Sequence, residues 1–380
     1  MRLAKRLDGF PEYIHSRMAK AAAEVEKQTG RAVLRFGAGS PDVPPSQKYV
    51  SKFEEFLHDK NAHLYPGYRG TLEFETALIQ HYQKRFGVTL DNDEVLPLLG
   101  AKDGIAHLPL VLLDTGDEFL VPDPGYPAFT EPATMIGGIA VTYDLIPEKH
   151  FKIDIEELRL KITARSKYIW VNFPSNPTGQ YATLEDLAAI LKLAQEHDLI
   201  VIHDNCYSEI AFDDNVPPSI LQLPGAKDRC VELNSFSKVF SFAGYRMGWL
   251  VGNREIVQAL AKVKSQLDSG MSLPLQRLGA YALTETDMEW HNSMIKSYRD
   301  RRDVIANKLR TLGLTFELPK AALYIWAKIP DSAKDSESYC MQLLKEKQVL
   351  FTPGSAFGKN GLRYVRISIC VNVEDIDSYL

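Results

Sequence analysis

Residues 235–249 read SFSKVFSFAGYRMGW, and this stretch combines a single lysine with several hydroxyl groups in otherwise aromatic and apolar surroundings. Such surroundings take water away from an ammonium group, so Lys238 is expected to be available as a neutral amine that attacks carbonyls. Ser235 and Ser237 offer hydroxyl donors and Arg246 offers a planar fork, a combination that suits a phosphate dianion. The stretch therefore predicts a reactive lysine beside a phosphate site, with an exposed loop lysine as the alternative.

The composition is that of an ordinary globular protein. Of the 380 residues, 45% are hydrophobic and 24% are charged, and the chain is longer than one core usually supports, so we expect two domains. A net charge of -5 gives no electrostatic reason to expect binding to nucleic acid or to an anionic membrane. The cysteines show no paired zinc pattern, and neither a signal peptide nor a membrane span is evident. These features favour a cytoplasmic protein.

Strands and helices alternate through the first two thirds of the chain. Short runs rich in β-branched and aromatic residues predict strands at 95–99, 118–121, 139–143, 168–171, 199–203 and 230–233. Helices are predicted between them, with Thr71 and Thr183 as N-caps of helices that end near Phe86 and His197. This alternation favours an α/β fold with a largely parallel sheet.

Several polar or small residues lie just past predicted strand ends, namely Gly100, Asn176, Asp204 and Ser235. Ligands of parallel α/β sheets collect beyond the carboxyl ends of the strands, so one ligand could contact all four residues. The turn at 100–104 also joins a strand to a helix, an arrangement that directs free backbone N–H groups at an anion.

The pattern changes after Gly252. Helices are predicted at 254–266, 290–312 and 336–347, and short strands at 315–318, 323–329, 349–352 and 363–370. This part of the chain is predicted to form a second, α+β domain.

With these motifs in order, the chain resembles the class I/II aminotransferases, the fold type I enzymes that use pyridoxal phosphate. The resemblance covers nearly the whole chain and rests on the Asn-Pro-x-Gly turn at 176–179, Asp204-x-x-Tyr207, the Ser-x-Ser-Lys motif with Arg246, and a late arginine, Arg366. It implies a large domain with a mostly parallel seven-stranded sheet flanked by helices, and a smaller α+β domain. The implied division is 1–45 for the N-terminal arm and part of the small domain, 46–270 for the large domain, and 271–380 for the rest of the small domain.

The resemblance also implies roles for individual residues. Lys238 would carry pyridoxal phosphate and move the substrate proton, while Asp204 would pair with the ring nitrogen. Asn176 and Tyr207 would bind the ring oxygen, and Tyr126 would stack on the ring unless it only packs in the core. The phosphate would be held by Gly100, Ala101, Lys102, Ser235, Ser237 and Arg246.

On the substrate side, Arg366 would bind the α-carboxylate, with Arg363 as a weaker candidate, and Asn176 and Gly39 would also lie against the substrate. Tyr65 is similar to a family tyrosine that reaches the phosphate of the neighbouring subunit, which implies a homodimer with shared sites. Next to Asp204, His203 reads as a structural residue at the strand end, and Cys206 as a small buried residue.

The implied activity is amino-group transfer between an L-amino acid and a 2-oxo acid, such as 2-oxoglutarate or pyruvate, by a ping-pong mechanism. The motifs are closest to the alanine, aspartate and LL-diaminopimelate aminotransferase branch. A carbon–sulfur β-lyase is the alternative, because both reactions begin with the same proton removal by a lysine; a non-catalytic regulatory protein is a second alternative.

Two features depart from the family pattern. The segment Lys320-Ala321-Ala322-Leu323-Tyr324 lacks the usual glycine before the strand. The chain stops at Leu380, soon after the Arg366 strand, which suggests a shortened last helix.

Overall fold

The computed structural model describes residues 3–4, 6–7, 14–37, 39–212, 216–374 and 376–380. Its α-helices are α1 Ile14–Thr29, α2 Gln47–Leu57, α3 Leu72–Phe86, α4 Ala101–Leu112, α5 Glu131–Met135, α6 Ile155–Lys161, α7 Leu184–Glu196, α8 Phe236–Val239, α9 Arg254–Lys264, α10 Leu273–Thr284, α11 Met288–Thr311 and α12 Ser336–Lys347. Its strands are β1 Leu34–Arg35, β2 Val95–Leu98, β3 Glu118–Asp123, β4 Ile139–Asp144, β5 Ser166–Asn172, β6 Ile200–Asp204, β7 Cys230–Ser235, β8 Gly248–Gly252, β9 Tyr324–Lys328, β10 Val349–Leu350, β11 Thr352–Pro353 and β12 Tyr364–Ser368.

The central sheet has seven strands in the order β2-β8-β7-β6-β5-β3-β4. Strand β8 is antiparallel to both of its neighbours, and the other strands all run the same way. The carboxyl ends of six strands therefore lie at one edge of the sheet. The prediction of a largely parallel α/β sheet is confirmed.

Both faces of this sheet are buried. Ile169 of β5 and Val201 of β6 pack with residues of α3, α7 and α10, whereas their chain neighbours Trp170 and Ile202 pack on the other face with residues of α4 and α9. Because successive strand residues point to opposite faces, strands covered on both sides read as nearly continuous apolar runs. This explains why the sequence shows β-branched runs here rather than alternation.

A second core lies outside the large sheet. Strands β11, β12 and β9 form an antiparallel sheet, and β1 pairs in parallel with β10. Buried residues of α1, α11 and α12 pack together with those of β9 and β12. The N-terminal segment therefore packs with the C-terminal part of the chain in this second core.

The exact division into domains at residues 45 and 270 stays a prediction, and part of the 1–45 segment lies outside the described residues. Helix α10 bears on the second boundary. Its buried residues Leu278 and Ala282 share the core of the large sheet, and α10 packs on α3 and α2.

Most predicted elements are present, and the helix caps are confirmed. Thr71 accepts a hydrogen bond from the Phe74 N–H, and Thr183 accepts one from the Asp186 N–H. The strand predicted at 315–318 is wrong, because only Thr315 forms a bridge, with Lys328. The strand predicted at 349–352 is divided between two sheets, and α2 and α10 were not predicted.

The missing glycine has a structural counterpart at Ala322. This residue is fully buried and has a φ of 61°, a left-handed conformation that costs an alanine about 1–2 kcal/mol. Its N–H donates to the Ile210 carbonyl, so packing and a hydrogen bond hold the backbone in place. Within the described residues, no helix is long and apolar enough to cross a membrane.

Candidate active site

A cavity of about 560 Å³ opens at the edge where the parallel strands end. Strand β6 delivers Asp204 as its last residue, β7 ends at Ser235, and the turn after β5 carries Asn176. The predicted site residues that line the cavity are Gly39, Ala101, Lys102, Tyr126, Asn176, Asp204, Tyr207, Ser235, Ser237, Lys238, Arg246 and Arg366. Residues that are far apart in sequence thus meet in one place.

Two predicted site residues are not among those lining the cavity. Gly100 lies directly behind it: its φ is 84°, and a side chain there would come within 2.7 Å of the Arg246 guanidinium. Tyr65 is 88% exposed, a position that leaves its ring available to a neighbouring molecule.

Lys238 lies on the short helix α8 and is half-buried. Its Nζ donates a hydrogen bond of 2.6 Å to the Gly39 carbonyl and stands 5.8 Å from the centre of the Tyr207 ring. Ser235 caps α8 by accepting from the Ser237 N–H, and its hydroxyl donates to the Met247 carbonyl. The sequence motif thus forms a compact turn that holds the amine in the cavity.

Gly39 is required by a close approach. A Cβ at this position would lie 1.8 Å from the Tyr324 hydroxyl oxygen. That hydroxyl is hydrogen-bonded to the Tyr207 hydroxyl at 3.0 Å, and both rings are buried. Any larger residue at position 39 would therefore displace the pair of tyrosines that borders the lysine.

The beginning of helix α4 forms one wall of the cavity. The first N–H groups of a helix have no acceptor within the helix and carry part of the helix dipole, so the amides of Ala101 and Lys102 favour an anion. Arg246 adds a positive charge on the same side, and its Nη1 donates to the Ala243 carbonyl at 2.8 Å. The amides, the Ser237 hydroxyl and the guanidinium together make this wall suitable for an anion such as a phosphate group.

Asp204 is buried, with an exposed fraction of 5%. Its Oδ1 accepts from the Cys206 N–H at 3.2 Å. Burial raises the pKa of Asp204, and the bonds from Cys206 and the nearby charges of His203 and Lys238 offset part of that rise. A cation placed against this carboxylate would favour the ionised form.

Asn172 organises the turn that follows β5. Its side-chain nitrogen donates to the Asp204 carbonyl at 3.2 Å, and its side-chain oxygen accepts from the Asn176 N–H at 2.9 Å. The turn is therefore tied to the same strand end that carries the buried carboxylate.

Arg366 reaches the cavity from β12 and is 4% exposed. Its Nη1 donates to the Asn176 side-chain oxygen and its Nη2 to the Gly37 carbonyl, both at 2.8 Å. The buried Nε has no hydrogen-bond partner within the described residues. Arg363 instead donates to the carbonyls of Pro330 and Lys334, outside the cavity.

Sequence reasoning missed some of the lining. Asn172, Tyr324, Phe351, Thr352, Met18 and Arg35 all border the cavity. Asn172 could have been found, since the nearby Pro174 and Pro177 mark the segment at 172–179 as a turn directly after a predicted strand. The others come from the small-domain strands and from α1, and no local pattern connects those segments with the lysine motif.

Comparison with known proteins identifies the class. A family model described as aminotransferase class I and II matches residues 31–380. The LL-diaminopimelate aminotransferase of Halothermothrix orenii is 37% identical over 383 aligned positions, covering 100% of this chain and 97% of the relative. The apo-BacF structure from Bacillus subtilis has a TM-score of 0.94 at 32% identity, with coverage of 100% and 96%. A single mutant of Thermus thermophilus aspartate aminotransferase also has a TM-score of 0.94, at 27% identity, with coverage of 100% and 98%.

The chain therefore belongs to the class I and II aminotransferases. It has the fold type I architecture and is an enzyme that transfers amino groups, so the predicted family, fold and activity are confirmed. Membership of this family implies a pyridoxal phosphate cofactor and amino-acid and 2-oxo-acid substrates.

Proposed function

We propose that this aminotransferase binds pyridoxal phosphate in the cavity, attached at Lys238, and uses LL-diaminopimelate as amino donor and a 2-oxo acid as acceptor. The observation that carries the proposal is that one cavity combines the amine of Lys238, the buried carboxylate of Asp204 and the buried guanidinium of Arg366. Bound there, pyridoxal phosphate supplies an electron sink for the electron pair released when the substrate Cα–H bond breaks.

The residues present fit this group. Gly100 leaves room beside Arg246 that a Cβ would fill, and the start of α4 supplies amides, so this wall suits the phosphate. Asp204 would hold a positive charge on the ring nitrogen, because a buried carboxylate strongly favours a cation beside it. With its oxygen engaged by Arg366, Asn176 has its NH₂ group to donate to the ring oxygen, together with the Tyr207 hydroxyl. Tyr126 borders the same space and would pack against the ring.

Arg366 binds the substrate α-carboxylate. Its unpartnered Nε and the remaining Nη protons form a planar fork that matches the two oxygens of a carboxylate. Aromatic rings support this fork, with the guanidinium carbon 4.2 Å from the centre of the Tyr324 ring and 4.7 Å from that of Phe357. The side chain is thereby held in one orientation before substrate arrives.

Lys238 would take the proton from the substrate Cα and return it in the later step, since its amine lies inside the cavity. Its hydrogen bond to the Gly39 carbonyl ties the amine to the same N-terminal segment whose Gly37 carbonyl accepts from Arg366. This arrangement orients the amino acid so that its Cα faces the lysine.

The choice of donor rests on the relatives, since proteins 35% to 38% identical over nearly the full chain are named LL-diaminopimelate aminotransferases. The cavity volume of about 560 Å³ is in the range typical of small-molecule sites. A homodimer is part of the proposal: Tyr65 extends from the surface and assists the phosphate of a second subunit. A cytoplasmic location stays a prediction.

The proposal is tested by the half-reaction. With LL-diaminopimelate and no 2-oxo acid, the visible absorption band of the bound cofactor should disappear stoichiometrically, and 2-oxoglutarate or pyruvate should restore it. Lys238→Ala should abolish this response. Arg366→Lys should weaken amino-acid affinity by about 10- to 100-fold, because it loses the planar fork. Arg363→Lys is the matched control and should leave affinity unchanged.

Two outcomes would contradict the proposal. An absorption band that persists with every amino acid tested would show that this site does not catalyse transamination. A response to alanine or aspartate without a response to LL-diaminopimelate would retain the chemistry and overturn the assigned donor.

A further inference from the structure

A buried polar network lies beneath the cavity, on the opposite face of the strand that ends in Asp204. His203 of β6 and Glu232 of β7 are adjacent across the sheet, and both side chains are 0% exposed. The His203 Nδ1 lies 3.0 Å from Glu232 Oε2, and its Nε2 lies 3.0 Å from the Phe173 carbonyl oxygen. Buried polar groups of this kind are costly unless fully hydrogen-bonded.

The partners fix the protons on the ring. A carbonyl oxygen only accepts, so Nε2 must carry a proton and donate it to Phe173. Glu232 also receives hydrogen bonds from the Ser219 hydroxyl at 2.6 Å and from the Tyr82 hydroxyl at 2.8 Å. Because each carboxyl oxygen already accepts from a hydroxyl, Glu232 matches an ionised carboxylate, and this places the proton between its Oε2 and Nδ1 on the ring. His203 is then an imidazolium.

The direction of the Glu232 titration agrees with this assignment. Burial alone would raise the pKa of Glu232, but the hydrogen bonds and charge of His203 and the bonds from Ser219 and Tyr82 hold it below its ordinary value. An ionised carboxylate in a fully buried position needs such a cation.

The imidazolium is next in sequence to Asp204 and close to the turn that carries Asn176. Adjacent strand residues point to opposite faces, so the ring acts on Asp204 through space and not through a hydrogen bond. The charge of His203 is among the effects that lower the pKa of Asp204, together with that of Lys238, against the burial that raises it. The Nε2 on the other side of the ring is hydrogen-bonded to the Phe173 carbonyl. The neighbouring residue, Asn172, donates to the Asp204 carbonyl and accepts from the Asn176 N–H.

We propose that His203 is a positioning residue of this site: Glu232 holds its ring in the doubly protonated form, and that ring favours ionised Asp204 and fixes the turn that carries Asn176. The role rests on the proposed function, in which Asp204 faces the ring nitrogen of the cofactor. It goes beyond the sequence-based interpretation of His203 as a structural strand-end residue.

The charge of the ring can be measured directly on the cofactor-free protein. The chain has nine histidines, so His203→Gln would assign the His203 signals in nitrogen NMR of protein labelled at histidine. In the spectrum at pH 7, both ring nitrogens of His203 should carry protons, as its two acceptors require. A single protonated nitrogen would overturn the proposal. In Glu232→Gln the ring should lose one proton, because the amide can donate to Nδ1 where the carboxylate accepted.

Glu232→Gln also distinguishes the effect of charge from that of packing. Glutamine has nearly the shape of glutamate and can still hydrogen-bond to His203, but it carries no charge. The probe is deoxypyridoxine phosphate, which has the ring nitrogen and the phosphate but no aldehyde to react with Lys238. The dissociation constant of this probe should rise about tenfold in Glu232→Gln. This is the effect of making the ionised form of Asp204 less favourable by the equivalent of about one pKa unit. Tyr82→Phe removes a donor to the same carboxylate without changing its charge, and should alter the constant by no more than about twofold.

Equal losses in the two variants, or no loss in Glu232→Gln, would show a structural role only and overturn the proposal. A parent protein that does not bind the probe would instead overturn the proposed function, and with it the role of His203. A parent that binds the probe while His203 carries one proton would overturn this proposal alone. Thermal unfolding of each variant establishes that it is folded.

Discussion

At the scale of single residues, Asp204 shows how a functional group can oppose folding. In the cofactor-free protein its pKa is raised, first by burial, and only partly lowered by the Cys206 bonds and the charges of His203 and Lys238. An acid with a raised pKa in the folded state releases its proton more readily when unfolded. Its contribution to stability therefore falls as the pH rises through that pKa. A cation bound at Asp204 would remove this cost.

We therefore expect Asp204→Asn to stabilise the cofactor-free protein at pH 7 by about 1 kcal/mol, because asparagine keeps the acceptor for the Cys206 N–H without a buried charge. The same variant should weaken pyridoxal phosphate binding by about 10- to 100-fold, the value of a charge-assisted hydrogen bond. Thermal unfolding and cofactor titration measure the two effects. Asp123→Asn, which changes another buried aspartate outside the cavity, should leave cofactor affinity unchanged. A less stable Asp204→Asn protein would contradict the argument.

Some residues of the candidate site belong to short sequence motifs, whereas others are brought there only by long-range contacts. Lys238, Asp204 and Asn176 could be predicted because each belongs to a short motif directly after a strand. Tyr324 could not, because its role depends on a contact with Gly39 that joins the two ends of the chain. The contact between His203 and Glu232 could not be predicted from the sequence either, because it depends on the register between β6 and β7.

At the scale of elements, the turn from β2 into α4 is held by a buried ionic cluster. Asp103 accepts from the Leu99 N–H at 2.8 Å and contacts His107 at 2.7 Å. It also pairs with Lys264 of α9, whose Nζ is shared with Asp268 at 2.6 Å. Burial alone would raise the pKa of Asp103, but the bonds from His107 and Lys264 hold it below its ordinary value. The cluster therefore fixes the start of the helix whose first residues line the cavity.

The pKa of Asp103 is lower in the folded protein than in the unfolded chain. Asp103 therefore stabilises the fold at pH values above its unfolded-state pKa, and this stabilisation is lost as the pH falls through the folded-state pKa. Asp103→Asn should lower the free energy of unfolding at pH 7 by about 2–3 kcal/mol, since Lys264 keeps only Asp268 as a charged partner. Urea unfolding across a pH series should show this difference narrowing only below pH 3.8, the ordinary aspartate value.

Asp331→Asn is a control for Asp103→Asn, because its side chain is 91% exposed. It should change stability by no more than about 0.5 kcal/mol. If the difference in the free energy of unfolding between Asp103→Asn and the parent grows as the pH falls, the assigned role of this cluster is wrong.

Helices with clear ends were predictable, and those without were not. Thr71 and Thr183 mark helix starts because their side chains satisfy free N–H groups. Helix α10 was missed because it is buried around much of its circumference, including Gln276 and Leu278, and so has no polar stripe in its sequence. The strand predicted at 315–318 has β-type residues, but Pro319 follows and has no N–H to extend pairing beyond Thr315.

At the scale of the whole molecule, the cavity lies where the two cores meet. Asp204 comes from the large sheet, Lys238 from the short helix α8 that follows β7, Arg366 from the antiparallel sheet, and Gly37 and Gly39 from the N-terminal segment. The hydrogen bonds from Arg366 to Asn176 and Gly37 connect all three parts. The sequence predicted many of the residues that line the cavity, but the way the segments pack together depends on long-range contacts.

Association of two chains would complete this arrangement. Large exposed apolar side chains occur along residues 57–72, where Leu64 is 50%, Tyr65 88%, Tyr68 58% and Leu72 66% exposed. Concentrated exposure of this kind is typical of a surface that binds another protein. The segment contains the tyrosine that is predicted to reach the phosphate of a neighbouring subunit.

Leu72→Asp is designed to disrupt that surface without harming the fold, because an acidic residue in the first turn of α3 is favourable for the helix. In sedimentation velocity the parent should be a dimer, Leu72→Asp should shift toward monomer, and its affinity for pyridoxal phosphate should fall in parallel. Leu160→Asp, at an equally apolar position that is 87% exposed on α6, should change neither property. Tyr65→Phe should remain dimeric but bind the cofactor about fivefold more weakly, the value of one hydrogen bond. A parent that is monomeric and fully active at assay concentration would contradict the shared site.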